Sequence, residues 1–278
     1  MTLLGRNRPI CRTVADVVYV LNAIVDIDHY DNATIEISQY IPKGGYAQFL
    51  KADGLRAKRV GIVRDPFYNF GNDTIATQTA EHLKTLRKQG TILVVNLEIV
   101  NIDKIHSPTS GDGTALATEF KISINAYLNE LVTSPVRSLA YLIDFNKKNS
   151  KLEKLEYGQD QFVKAEATNG IGNAEKAALA NLAKLTREGF VELMTKNKLD
   201  AIVTAGVSVS TILAIGVFPG VIVPAGYDSD GKPFGSWFGG LKGSEPKLIE
   251  IAYGFEQATK IRKPPKFIFK GSIASLQS

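Results

Sequence analysis

Between Leu199 and Lys266 the chain alternates two β-prone apolar runs with clusters of glycine and proline, then switches to helical spacing. No other stretch limits the fold so much. Leu199 to Thr204 reads as a central strand. Val221, Ile222 and Val223 are β-branched and stiff, so they favour a second, short buried strand, with Pro219 and Gly220 before it and Pro224 to Gly226 after it. Asp228-Ser229-Asp230-Gly231 supplies small polar residues for a reversal, and Lys232-Pro233 re-enters extended structure toward Phe234. Gly235, Gly239 and Gly240 surround Trp237 and Phe238, which brings backbone close to either another strand or a ligand. From Pro246 the period becomes helical through Leu248, Ile251, Ala252, Phe255 and Ala258, until Arg262, Lys263 and Pro264-Pro265 end it. The alternation describes an α/β core covered by whatever lies upstream.

Upstream, Thr13 to Asp16 forms a capping-box-like start to a helix that uses Val14, Val17, Val18, Leu21 and Ile24. Residues 26–54 are polar and turn-rich, a surface excursion with room for one short helix. Arg59 to Val63, a helix from Asp73 through Lys88, and Thr91 to Leu97 make a strand, helix, strand unit of crossover length. Residues 102–113 read as a loop, Ala115 to Leu131 as a helix, Ser138 to Phe145 as a shorter one, and Asn173 to about Met194 as a long one capped by Asn173.

The chemistry-bearing residues are sparse. Cys11 is the only cysteine, which excludes an intrachain disulfide and a cysteine metal cluster. His29, His82 and His106 have no metal-ligand spacing, and His82, on a helix, reads as exposed or structurally satisfied. No Gly-x-Gly-x-x-Gly and no phosphate loop occurs, so no cofactor is expected. Thr204, Gly206, Ser208 and Ser210 follow the end of the central strand, where α/β sheets expose ligand-contacting loops. However, no Gly-x-Ser-x-Gly or Ser-x-x-Lys accompanies these serines, and turn or capping use is expected. Asp228 and Asp230 flank a turn, which explains both. Glu119 and Lys121 belong to a solvated helix face, and Met194 is core filler. Net charge is +5 and dispersed, so no nucleic-acid partner is expected. No run reaches membrane-span length, and no secretory signal is read at the start.

Several stretches, in this order and spacing, carry a resemblance: Pro9 to Asp16, Glu119-Phe120-Lys121 with Asn125 to Leu128, Ser134-Pro135-Val136 leading to Asp144-Phe145-Asn146, and Tyr157-Gly158-Gln159. They continue through Leu199 to Val203, Pro219 to Gly226, and Phe238 to Pro265. Together they resemble the C-terminal half of amidase signature family enzymes, the plant and fungal putative amidases above all, over nearly the whole chain. The resemblance implies hydrolysis of linear amides by a serine, a second serine on an unusual peptide bond, and a lysine, with a glycine- and serine-rich segment giving oxyanion donors. In the family these precede the point matched by the start of this sequence, so no numbered residue here inherits a catalytic role. The expectation is therefore a single partial amidase domain over 1–278, a mixed β-sheet flanked by helices in an incomplete amidase signature fold. It would be an inactive remnant or pseudoenzyme, or else a non-catalytic binding or regulatory protein, or one part of a split amidase. A complementary N-terminal half, or self-association over an exposed sheet edge, would then complete it, and a small amide or acyl ligand would occupy what pocket remains. Three local departures stand out: Arg8 where the family has Gly, Ala205 where it has Pro, and Gly216-Val217-Phe218 where Ala-Gly-Tyr is typical.

Overall fold

The computed structural model describes residues 9–30, 32–71, 73–205 and 209–264. Helix α1 (Val14–Ile24) starts where expected, with Thr13 Oγ1 accepting from Asp16 N at 3.1 Å. The excursion that follows holds α2 (Asn32–Ile37) and two single turns of tighter helix. Strand β1 (Arg59–Val63), helix α3 (Asp73–Lys88) and strand β2 (Ile92–Leu97) then form the crossover unit, with β1 and β2 parallel.

The helical middle differs from expectation in three places. Residues 102–113 are not one loop, because α4 (Ile102–His106) buries Ile105 within them, and five residues are too few to show a period. Helix α5 (Asp112–Glu130) is followed by α6 (Leu139–Lys148), capped by Ser138, and by an unexpected α7 (Asp160–Glu166). The long helix is α8 (Asn173–Thr186), a wider π-type turn over Arg187–Val191, and α9 (Glu192–Lys196); its cap is Gly172, whose N–H donates to Glu175 Oε2, rather than Asn173.

Strand β3 (Ala201–Ala205) is buried at every residue, as a central strand must be. Helix α10 (Ser210–Gly216) leads to β4 (Gly220–Tyr227), β5 (Pro233–Gly239) and α11 (Glu245–Thr259). The strand order is β2-β1-β3-β5-β4, with β1 parallel to both β2 and β3, and β5 antiparallel to β3 and β4. β4 outruns its three β-branched residues and passes through Pro224, which an edge strand tolerates at a bulge. The register shifts between Pro224 and Gly226.

Alternation sorts the sheet onto two cores. Val60, Ile62, Val203 and Phe238 pack with α1, α3 and α11, whereas Val63, Ile202 and Trp237 pack with α8 to α10. A satellite cluster joins Leu139, Ile143 and Ala165 with Phe120 and Phe162. The mixed sheet with helices on both faces is as expected; its incompleteness is not upheld, since each face of the described sheet has its own buried core.

Candidate functional site

Helix α10 is the crossover from β3 to β4, and glycine lets it lie close to the sheet. A Cβ at Gly220 would stand 2.7 Å from Leu213 Cδ1, and one at Gly239, directly across the β4–β5 pair, 2.9 Å from Leu213 Cδ2. The glycines around Trp237 and Phe238 thus serve close packing of side chains against the sheet. The helix ends in a Schellman closure, in which Phe218 N donates to Leu213 O at 2.8 Å and Val217 N to Ala214 O at 3.1 Å. That closure puts Val217 in the left-handed region (φ +53°, ψ +43°), where glycine is the ordinary occupant and a non-glycine residue costs roughly 1–2 kcal/mol. The departure at 216–218 therefore falls on the one residue of the turn whose backbone disfavours a side chain. Phe218 leaves the turn to pack on Phe190 of the π-type turn, ring centroids 5.0 Å apart.

Beside α10 lies a hollow of about 520 Å³. Ser210, Leu213, Val217 and Phe218 form one wall, Val221, Ile222 and Trp237 the floor, and Val14, Val17, Leu248 and Ile249 the far side; among the described residues Glu245 is its one ionisable side chain. It begins at Ser210, just past the carboxyl end of β3 where α/β sheets receive ligands, and runs to Val217 at the other end of the sheet. Two buried polar atoms, Thr204 Oγ1 on β3 and Trp237 Nε1 opposite it on β5, have no hydrogen-bond partner among the described residues. At the same end of the sheet Tyr68 O–H donates to Val203 O at 3.0 Å, with Arg64 over its ring, and burial pushes the phenol well above its ordinary range. A second, polar hollow of about 350 Å³ lies between Asp103, Lys104, Ser107, Ser110 and Asn181.

On the opposite face, α3 holds the bulge of β4. Gln78 Nε2 donates to Tyr227 O at 2.7 Å, and His82 Nε2–H donates to Ala225 O, so both carbonyls next to the bulge are satisfied. Burial lowers the His82 pKa against the smaller upward pulls of that carbonyl and of Glu81. His82 is thus a buried structural histidine, edge-on to Phe255 at 5.3 Å.

Other residues singled out in the sequence fall as follows. Asp228 Oδ1 accepts from Asp230 N and Lys232 N, so the turn accounts for it. Glu119 is buried, against expectation, while Lys121 is tied to the end of α7 through Thr168 O and Glu166. Met194 is core, and His106 sits edge-on to Phe67. Gly206 and Ser208, like Arg8, lie outside the described residues. Among the described residues no group of three His, Cys, Asp or Glu side chains could hold a metal, and no helix is long and apolar enough to cross a membrane.

The sequence and the fold have counterparts among known proteins. The family model "Amidase" matches residues 2–216, and the chain belongs to that family. It is 54% identical over 262 residues to a probable amidase of Arabidopsis thaliana, covering 94% of this chain and 49% of that protein. Among solved structures, the native peptide amidase of Stenotrophomonas maltophilia superposes with a TM-score of 0.82 at 34% identity, over 92% of this chain and 54% of that one. A peptide amidase in complex with the competitive inhibitor chymostatin gives 0.83 at 33% identity over the same shares. The chain spans about half the length of the relatives it matches.

These findings correct several expectations. The match runs across nearly the whole chain and is not confined to one part of it, and three solved amidase structures share its architecture at TM-scores of 0.81 to 0.83. The descriptions as a C-terminal fragment only and as an incomplete fold do not stand. The match gives no positive indication of a pseudoenzyme or an inactive remnant. The need for a complementary half, or for pairing along the sheet edge, loses its basis with them.

Proposed function

We propose that the protein carrying this sequence hydrolyses the carbon–nitrogen bond of a linear amide, and that the hollow beside α10 receives the apolar part of the substrate. The observation that carries this is the hollow's composition and place: a wall almost free of charge, starting at the carboxyl end of the central strand. Identity to a probable amidase and to peptide amidases supports the reaction class.

The described residues contribute enclosure and orientation. Amide cleavage needs an attacking group beside a proton acceptor, with donors for the developing oxyanion. We assign no catalytic residue to the described part of the chain, and we keep Ser210 as a wall residue, since no base accompanies it there. An apolar wall helps by excluding water from the acyl group and holding the carbonyl carbon in one place. No metal or cofactor enters this proposal.

Ammonia release from a panel of linear primary amides and C-terminally amidated peptides tests it. Turnover is expected to rise from acetamide to amides with larger apolar acyl groups. Absence of release across the panel, or a preference for charged acyl groups, overturns it.

A further inference from the structure

We infer that Val217 is a specificity-determining residue, narrowing the hollow so that it favours small branched acyl groups over aromatic ones. The inference rests on the amide-hydrolase proposal. It starts from a mismatch between a backbone position and its occupant. Val217 takes the left-handed residue of the α10 closure, and a β-branched side chain is among the least suited to it.

The closure does not use that side chain. Both of its hydrogen bonds are backbone to backbone, from Val217 N and Phe218 N. The nearby core is filled by other groups, Phe218 against Phe190 and Leu213 against Gly220 and Gly239. Val217 is instead one of the residues lining the 520 Å³ hollow. A residue that strains the turn, leaves its hydrogen bonds unchanged and lines a cavity acts on the shape of that cavity. Such strain gathers at ligand-binding positions, where the surrounding structure holds it in place. Removing three carbons from the wall would admit a larger acyl group and loosen the fit of a small one.

Trp237 is the only tryptophan of the chain and lies on the floor of the same hollow, so its fluorescence reports occupancy directly. Isobutyramide and phenylacetamide are titrated into the wild-type protein, Val217→Gly and Val217→Ile, alongside thermal unfolding of each. Val217→Gly is expected to unfold at a higher temperature, because glycine suits the position, and to shift the affinity ratio about tenfold toward phenylacetamide. Val217→Ile is expected to keep or sharpen the preference for isobutyramide. If Val217→Gly gains stability with an unchanged ratio, or loses stability because the side chain supports the fold, the inference fails while the amidase proposal stands. If neither amide perturbs Trp237 in the wild-type protein, the hollow is not the substrate wall, and both fail.

Discussion

The two faces of the sheet differ in where they place paired charge. On the face covered by α1, α3 and α11, three carboxylates are paired, Glu250 with Lys51 and Lys58 at 2.8 and 2.6 Å, Asp200 with Lys247 at 2.6 Å and Arg59 N at 2.9 Å, and Glu256 with the N–H of Val14, while Thr79 Oγ1 on α3 is buried without a hydrogen-bond partner among the described residues. On the α10 face, Thr204 Oγ1 and Trp237 Nε1 are buried without partners among the described residues, the crossover helix ends on a strained valine, and a hollow opens beside it. Enclosed and satisfied polar groups hold a structure in one arrangement. The paired carboxylates brace one side of the strands, and the ligand-facing hollow opens where the α10 side meets α1 and α11.

The strongest way to break this comparison is to damage the braced face. Phe255 is fully buried and meets Phe238 at 5.4 Å and His82 at 5.3 Å, so Phe255→Ala should cost about 3–5 kcal/mol in urea unfolding. A loss below about 1 kcal/mol would show that this face is not the better packed one. Glu250→Gln comes next. Burial pushes the Glu250 carboxyl upward, but hydrogen bonds from Lys51 and Lys58 outweigh that and hold it below its ordinary range. Removing the charge leaves Lys58 facing a neutral amide, and a loss of about 1–3 kcal/mol is expected. An unchanged denaturation midpoint would mean that the pairs merely offset their own desolvation.

Acid separates the groups of that face by pH. The folded-state pKa of His82 is lowered, so its contribution is complete above the ordinary value of 6.5 and is lost as pH falls through the folded value. Asp200 and Glu250, also lowered, act only further down, below the ordinary carboxylate range. Glu256, raised by burial, works in the opposite sense by favouring the protonated form as pH falls. Urea midpoints should therefore drop in two stages, and His82→Gln, whose amide can still donate to Ala225 O, should flatten the first. A single drop that persists in the variant would assign the first stage to another group.

What could be read from residues alone tracks how local the cause was. β1 spans the Arg59–Val63 stretch read as a strand, and α3 and α11 follow their apolar periods, because propensity and burial agree there. α4 and α7 are too short to carry a period, and the π-type turn depends on tertiary packing around Phe190. Glu119 reads as solvated because it is charged, yet α5 turns it inward. The site was legible at Ser210, through the rule for strand ends, and in part at Trp237, through the glycines around it. The hollow is assembled from Val14, Val217, Trp237 and Leu248, which no spacing brings together, and Val217's strain is a property of a backbone angle. Expecting an incomplete fold gave too much weight to motifs that were not there and too little to the core that the present residues could build.

The smallest effect sharpens the comparison most cleanly, because it isolates enclosure from charge. Asp230 pairs with Lys232 at 3.1 Å, about the distance of the Glu250 pairs, but at the exposed tip of the β4–β5 turn. In water that attraction is screened and offset by the entropy of fixing two mobile side chains, so Asp230→Ala should change stability by no more than about 0.5 kcal/mol. Asp228→Ala at the same turn should cost more, about 1 kcal/mol, because its Oδ1 accepts two backbone N–H groups that shape the reversal. If Asp230→Ala matched Glu250→Gln in a urea titration, charge pairing itself would be the stabilising factor, and the distinction between an enclosed ion pair and an exposed one would lose its energetic basis.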